Sequence, residues 1–336
     1  MTKTAFGHLG GFDITKKIFE NTVGLVMKVI FMGTPQFAMP VLERLLNSSH
    51  QVVAVCTQPD KPAGRKRDLI RSPVKALALN RHIPLMQPET FKSPQAVREL
   101  SRFCPDFIVV AAFGLILPPE VLSLPRFGCL NVHPSLLPRH RGPSPVVNAI
   151  LDGDETTGVT IMLLDAGLDS GPILAQREMP ILSEDTTGSL TDKLAQLGAA
   201  LLVDILPEWL DGKIKPQPQE ENGATFSRLI TSGDGKIDWH LPAVEIWRRV
   251  RAYNPWPVCY GWWGDRRIRI HSAVPLEDIT PGKVGEVVAL PSSPEAGVIT
   301  GHGVLGLDRV QLEGRKEMSI AEFLRGQRSF VGSVLG

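Results

Sequence analysis

Short apolar runs recur through the first two thirds of the chain, set apart by stretches with helical spacing. Residues 28–32 (Lys-Val-Ile-Phe-Met) form one run and stop at Gly33; residues 51–56, 107–112 and 128–132 form others. Runs this short and this apolar predict strands buried on both faces. A helical stretch to about Leu46 follows the first strand. Ser72-Pro73 and Ser93-Pro94 each set a capping residue before a proline, so helices are expected to begin at both. The apolar residues after Gly158 and the segment from Ile173 predict two more strands. Residues 185–210 predict a long helix, with Leu190, Leu194, Leu197, Leu201 and Leu202 as its core-facing stripe. Strands alternating with helices predict an α/β domain with a mostly parallel sheet covered on both faces.

The pattern changes near Asp211. Residues 211–222 are polar and proline-containing, as a linker would be. Beyond about residue 232 come one helical patch, 241–252, and strand-like pieces at 258–263, 266–271, 284–289, 297–300 and 304–311, separated by Gly and Pro. Such a series predicts a small β-barrel or sandwich. The expected organisation is an extension at 1–26, an α/β domain at 27–210, a linker at 211–231 and a smaller β domain at 232–336.

Composition narrows the function classes. The 336 residues are 43% apolar and 21% charged, with a formal charge of +1, so any nucleic-acid contact must come from local basic patches. Four cysteines (Cys56, Cys104, Cys129, Cys259) sit in apolar surroundings without a CxxC pair; buried, reduced thiols and no metal are expected. No run reaches membrane-spanning length, and Lys16, Lys17 and Glu20 break up residues 1–26, which do not resemble a signal peptide. A cytoplasmic monomer is expected.

The first strand ends in Gly33-Thr34-Pro35-Gln36-Phe37, which holds only the first glycine of a dinucleotide fingerprint. Pro35 and Phe37 crowd the place of a pyrophosphate, which weighs against a nicotinamide enzyme. More informative is the end of the fourth apolar run. Asn131 and His133 lie two apart, hence on one face, where ligands bind beyond the carboxyl ends of an open sheet. Either residue alone is better read as satisfying local backbone groups. The stiff turn after them carries Arg139 and Arg141, a composition suited to a flat, anionic ligand. Asp169, in the glycine-rich loop from Asp165 to Pro172, is placed to reach a histidine on a neighbouring strand end. A separate basic run spans 58–75, with Lys61, Arg65, Lys66, Arg67, Arg71 and Lys75; such runs are usually solvated loops. In the second domain Arg248, Arg249, Arg251, Arg266, Arg267 and Arg269 interleave with Trp247, Trp256, Trp262 and Trp263.

Taken together, these segments are similar to the methionyl-tRNA formyltransferase family. The matching pieces are Phe31 to Ala38, Thr57 to Arg65, Ser72 to Lys75, Phe113 to Pro118, Asn131 to Arg139, Arg141-Gly142, Asp165 to Gly171 and Asn254 to Pro257. The resemblance runs from Met27 almost to the C-terminus. It implies a Rossmann-like catalytic domain followed by an OB-like barrel. It also implies formyl transfer from 10-formyltetrahydrofolate to the amine of initiator methionyl-tRNA, with Asn131, His133 and Asp169 as the catalytic trio. Folate is then expected along Ser135, Leu136, Leu137 and Pro138 and against Phe113, Gly114, Leu115, Ile116 and Leu117. The tRNA is expected on Lys61, Arg65, Lys66, Arg67 and Arg71, with Arg65 foremost, and on the barrel. An amino-sugar formyltransferase would share the trio and can carry a C-terminal barrel, but would not need the basic run.

Overall fold

The structure, a computed structural model, describes residues 25–63, 68–277 and 281–336. The first domain runs β1 (Lys28–Gly33), α1 (Met39–Leu46), β2 (Gln51–Cys56), β3 (Lys61–Ala63), β4 (Asp68–Ile70), α2 (Pro73–Asn80), β5 (Leu85–Met86) and α3 (Pro94–Ser101). It continues through β6 (Phe107–Ala111), α4 (Pro119–Leu122), β7 (Cys129–His133), α5 (Pro145–Asp152), β8 (Thr156–Leu163), β9 (Ile173–Pro180) and α6 (Thr187–Leu210). Seven strands form one sheet in the order β5-β2-β1-β6-β7-β8-β9. Pairing is parallel as far as β7 and antiparallel at β8 and β9.

The chain builds outward from β1 to β5, then returns to start again at β6. The carboxyl ends of β1 and β6 therefore mark the point where strand order reverses, and a crevice opens there. The apolar runs are strands because both faces are covered: Val29 and Phe31 join one core cluster, Ile30 and Met32 the other. Edge strand β9 instead alternates exposed and covered positions. Gly33 must be glycine, since a Cβ there would stand 2.7 Å from Ala38 Cβ and 2.9 Å from the Ala111 oxygen. Helix α6 starts two residues later than its pattern predicts. Thr186 is the cap, accepting the Ser189 N–H while the Ser189 hydroxyl accepts that of Thr186.

The second domain holds α7 (Ala243–Ala252), β10 (Cys259–Trp263), β11 (Arg266–Leu276), β12 (Val287–Ala289), β13 (Ala296–Ile299), β14 (Val304–Leu312), β15 (Met318–Ser319) and α8 (Ile320–Gly326). Its antiparallel sheet runs β10-β11-β14-β13-β12, with β15 beside β14. The last residues tie its outer strands together. Gly336 exchanges backbone bonds of 2.7 and 2.8 Å with Trp262, and the Leu335 N–H reaches Gly285 at 2.8 Å. The sheet is thereby curled into the expected barrel-like form. Ile246 and Val250 of α7 belong to the same core as α6, and Arg251 donates to the carbonyls of Asp185 and Leu182.

Three expectations need correction. The polar stretch after Asp211 is not a solvated linker throughout: Gln217 pairs with Ile173, while the Arg141 backbone pairs with Thr225 and Ser227. The basic run is not a plain loop, because β3 and β4 within it pair antiparallel. Cys104 is exposed, in the turn between α3 and β6, although the other three thiols are buried. Among the described residues no helix is long and apolar enough to cross a membrane.

Candidate active site

A cavity of about 860 Å³ opens at the strand-order reversal, lined by Phe37, residues 113–117, Asn131, His133, residues 142–147 and the loop from Leu164 to Asp169. Asn131 and His133 both reach it from β7, as their spacing predicts. Both side chains are buried. Among the described residues nothing hydrogen-bonds the Asn131 carboxamide, so its N–H groups are available to an oxygen in the cavity.

His133 has a defined proton arrangement. Its Nε2 lies 3.1 Å from the carbonyl oxygen of His140. A carbonyl can only accept, so Nε2 carries the hydrogen and Nδ1 keeps its lone pair. Nδ1 faces Asp169 Oδ2 at 3.8 Å. Burial pushes the His133 pKa below its ordinary 6.5; the Asp169 charge and the bond to His140 act the other way and do not prevail. The ring is therefore neutral near pH 7 and poised to accept a proton beside a carboxylate.

Asp169 occupies the left-handed region at φ 49° and accepts the Gly142 N–H at 2.8 Å. Gly142 has φ 106°, and a Cβ there would meet the Ser227 oxygen at 2.8 Å, so a side chain is excluded. The cavity wall at 113–117 is pinned through the Phe113 carbonyl, which accepts from Gln58 Nε2 at 3.0 Å and from the Thr34 hydroxyl at 3.3 Å.

Ser135, Leu136, Leu137 and Pro138 stand behind the wall rather than in the cavity lining. Their backbone is engaged there: Thr160 donates to Ser135 and accepts from Leu137, and Gln176 donates to Leu137. Nor do the nearby arginines offer themselves to an anion. Arg139 pairs with Asp154 at 2.6 Å, and buried Arg141 pairs with Gln219 and Glu221. Asp154 and, from the segment after α6, Glu221 pair with the two guanidinium groups.

Lys61 and Arg71 are exposed and outside the cavity lining; Arg65, Lys66 and Arg67 lie outside the described residues. In the second domain Arg251 covers Trp247 at 4.4 Å, Arg266 covers Trp263 at 4.8 Å and Arg267 covers Tyr260 at 5.3 Å. Buried Cys56, Cys129 and Cys259 are pushed up to about 12 and are not nucleophiles at neutral pH. Sequence reasoning missed Gly142 as a donor, His140 as an acceptor and Gln219 as a bridge. Only Gly142, between a basic turn and a proline, left a local signal.

Fold and site together define a two-domain formyltransferase. Residues 27–206 match the family model described as formyl transferase, and residues 229–328 match formyl transferase, C-terminal domain. The methionyl-tRNA formyltransferase of Roseiflexus sp. (strain RS-1) is 46% identical over 92% of this chain and 95% of its own. That of Legionella pneumophila (strain Paris) is 44% identical over 90% and 96%. The chain belongs to the methionyl-tRNA formyltransferase family. Solved structures share the fold at lower identity. An N-formyltransferase from Helicobacter canadensis, in complex with folinic acid and dTDP-3-aminofucose, superposes with TM-score 0.61 at 20% identity, over 84% of this chain and 99% of that one. HypX from Aquifex aeolicus, in complex with tetrahydrofolic acid, gives 0.62 at 19% over 91% of this chain, which spans about half the length of HypX (48%).

Proposed function

We propose that this chain transfers the formyl group of 10-formyltetrahydrofolate to the amino group of initiator methionyl-tRNA. The observation that carries the choice of acceptor is the match, over nearly the full length of both chains, to methionyl-tRNA formyltransferases. The geometry at His133 supports the chemistry. The amine adds to the formyl carbon, and the carbonyl oxygen gains charge as the new C–N bond forms. Asn131 donates to that oxygen, an interaction of about 2–4 kcal/mol for a well-placed donor. His133 Nδ1 takes the proton that the amine sheds, and the imidazolium is stabilised by Asp169. The same proton passes to the folate nitrogen as its bond to the formyl carbon breaks, which returns His133 to neutrality.

The cavity volume lies within the range of about 300–1,000 Å³ usual for small-ligand sites. Phe113, Gly114, Leu115, Ile116 and Leu117 supply backbone groups and apolar cover for the folate ring. Ser135 to Pro138 serve this reading by holding the turn that carries His140. Lys61, Arg65, Lys66, Arg67 and Arg71 meet RNA phosphates, and the barrel extends that surface. The test is to incubate the protein with 10-formyltetrahydrofolate and methionyl-tRNA and to identify the product by mass. Formylmethionyl-tRNA is expected. Formylation of a nucleotide-linked amino sugar instead of the aminoacyl group would sink the reading.

A further inference from the structure

A strap of chain, residues 217–227, crosses both loops that build the site. Gln219 lies near its start. The carboxamide nitrogen of Gln219 donates to the backbone carbonyls of Asp169 at 2.9 Å and Gly171 at 2.7 Å. Its oxygen accepts from Nε of Arg141 at 3.0 Å. Arg141 is 2% exposed, and its backbone is paired with Thr225 and Ser227 of the same strap. Beside Arg141 stand His140, whose carbonyl fixes the His133 ring, and Gly142, whose N–H holds the Asp169 carboxylate. Gln219 thus links the loop bearing Asp169 to the loop that orients His133.

The linkage matters because of the 3.8 Å between His133 Nδ1 and Asp169 Oδ2. That separation is too long for a hydrogen bond, so it is set by where the two loops sit. The bonding pattern also selects the side chain. Two carbonyls need donors and one guanidinium needs an acceptor, which a carboxamide supplies. A glutamate would point an oxygen at two carbonyl oxygens, and a methionine would leave both carbonyls unanswered.

We propose that Gln219 is a positioning residue for formyl transfer, setting the approach of Asp169 to His133 by clamping their two loops together. The proposal rests on the function proposed above. The charged and titratable groups facing His133 are Asp169 and His140, the latter set against Asp152 and Asp154. The experiment uses the full chain as wild type, Gln219→Met, Gln219→Glu, Asp169→Asn and the Gln219→Met/Asp169→Asn double variant. The His133 ring is titrated by NMR, and kcat and KM are measured alongside. Loss of the clamp lets Asp169 draw away, so Gln219→Met is expected to lower the His133 midpoint towards that of Asp169→Asn. In the double variant the Gln219→Met change should add no further lowering. Both Gln219 variants should lose about 10- to 100-fold in kcat, the scale of an ångström-level misplacement. KM for both substrates should stay within about twofold.

An unchanged midpoint and kcat in Gln219→Met, even with a lower Tm, would overturn the proposal by reducing Gln219 to a structural contact. Wild-type kcat in Gln219→Glu would also overturn it, because that variant keeps an acceptor for Arg141 but sets an oxygen against the two carbonyls in place of the donated bonds. A wild type unable to formylate methionyl-tRNA would refute the proposed function instead, and the His133 titration would still judge the clamp.

Discussion

The turn after β7 and the hairpin of β3 and β4 are both rich in cations, and they treat them in opposite ways. In the turn, Arg139 lies against Asp154 and Arg141 against Glu221, with Arg141 buried. On the hairpin and its flank, Lys61 and Arg71 are exposed, with Lys61 donating to the uncharged Gln58 oxygen at 2.7 Å; of the run's described cations, Lys75 is paired, with Asp60 at 2.7 Å. With the arginines of the turn paired, the groups that set the state of His133 are burial, the Asp169 carboxylate and His140, which suits the movement of a single proton. Exposed charge on a hairpin is available to an RNA backbone and is screened by salt. On the proposed function one region serves the chemistry and the other the hold on RNA, and the two should be separable by substitution.

The largest expected effect is on the chemical side. His133→Ala should lower kcat by about 10²–10⁴-fold, the usual value of a positioned acid–base group, while RNA affinity measured by filter binding stays near that of the wild type. A matching loss of RNA affinity would break the comparison. Asp169→Asn should lower kcat by about 10- to 100-fold. It should also move the acid limb of the pH profile, and the sign follows from the causes at His133. Burial lowers its pKa and the Asp169 charge raises it, so removing that charge lets the pKa fall further. The limb should shift to lower pH; a shift to higher pH would mean that Asp169 does not face the ring in solution.

On the side of grip, Arg65→Ala should raise KM for methionyl-tRNA by about tenfold, equivalent to one lost charge-assisted bond, and leave KM for the folate unmoved. Equal changes in both would deny the hairpin its separate role. The smallest effect concerns the helix beside the hairpin. Ser72 caps α2 by accepting the Lys75 N–H at 3.1 Å, so Ser72→Ala should cost about 1 kcal/mol in a denaturant melt without changing kcat.

The parts of this design that were legible in the sequence are those with a local cause. The strand residues Val29 to Met32 and Phe107 to Ala111 declare themselves because strands buried on both faces must be apolar throughout. Asn131 and His133 stood out because a polar pair two apart is costly at a buried strand end unless it faces something. The strap around Gln219 and Thr225 gave no such signal. The Gln219–Gly171 and Thr225–His140 bonds span 48 and 85 residues of sequence, and the prolines and glutamines of the strap look the same whether they meet water or two loops of the site. The hairpin at Lys61 was hidden likewise, since three-residue strands of mixed polarity have no period to detect. Composition reports the charges of Arg139 and Arg141 but not the carboxylates they meet.

The division between chemistry and grip is tested most directly by steady-state formylation of methionyl-tRNA by the wild-type protein across a salt series. If exposed cations hold the RNA and a buried site does the chemistry, log kcat/KM for the RNA should fall linearly with log salt, while kcat at saturation stays flat. A kcat that falls as steeply as kcat/KM would contradict the account, since it would place the salt-sensitive charges inside the chemical step.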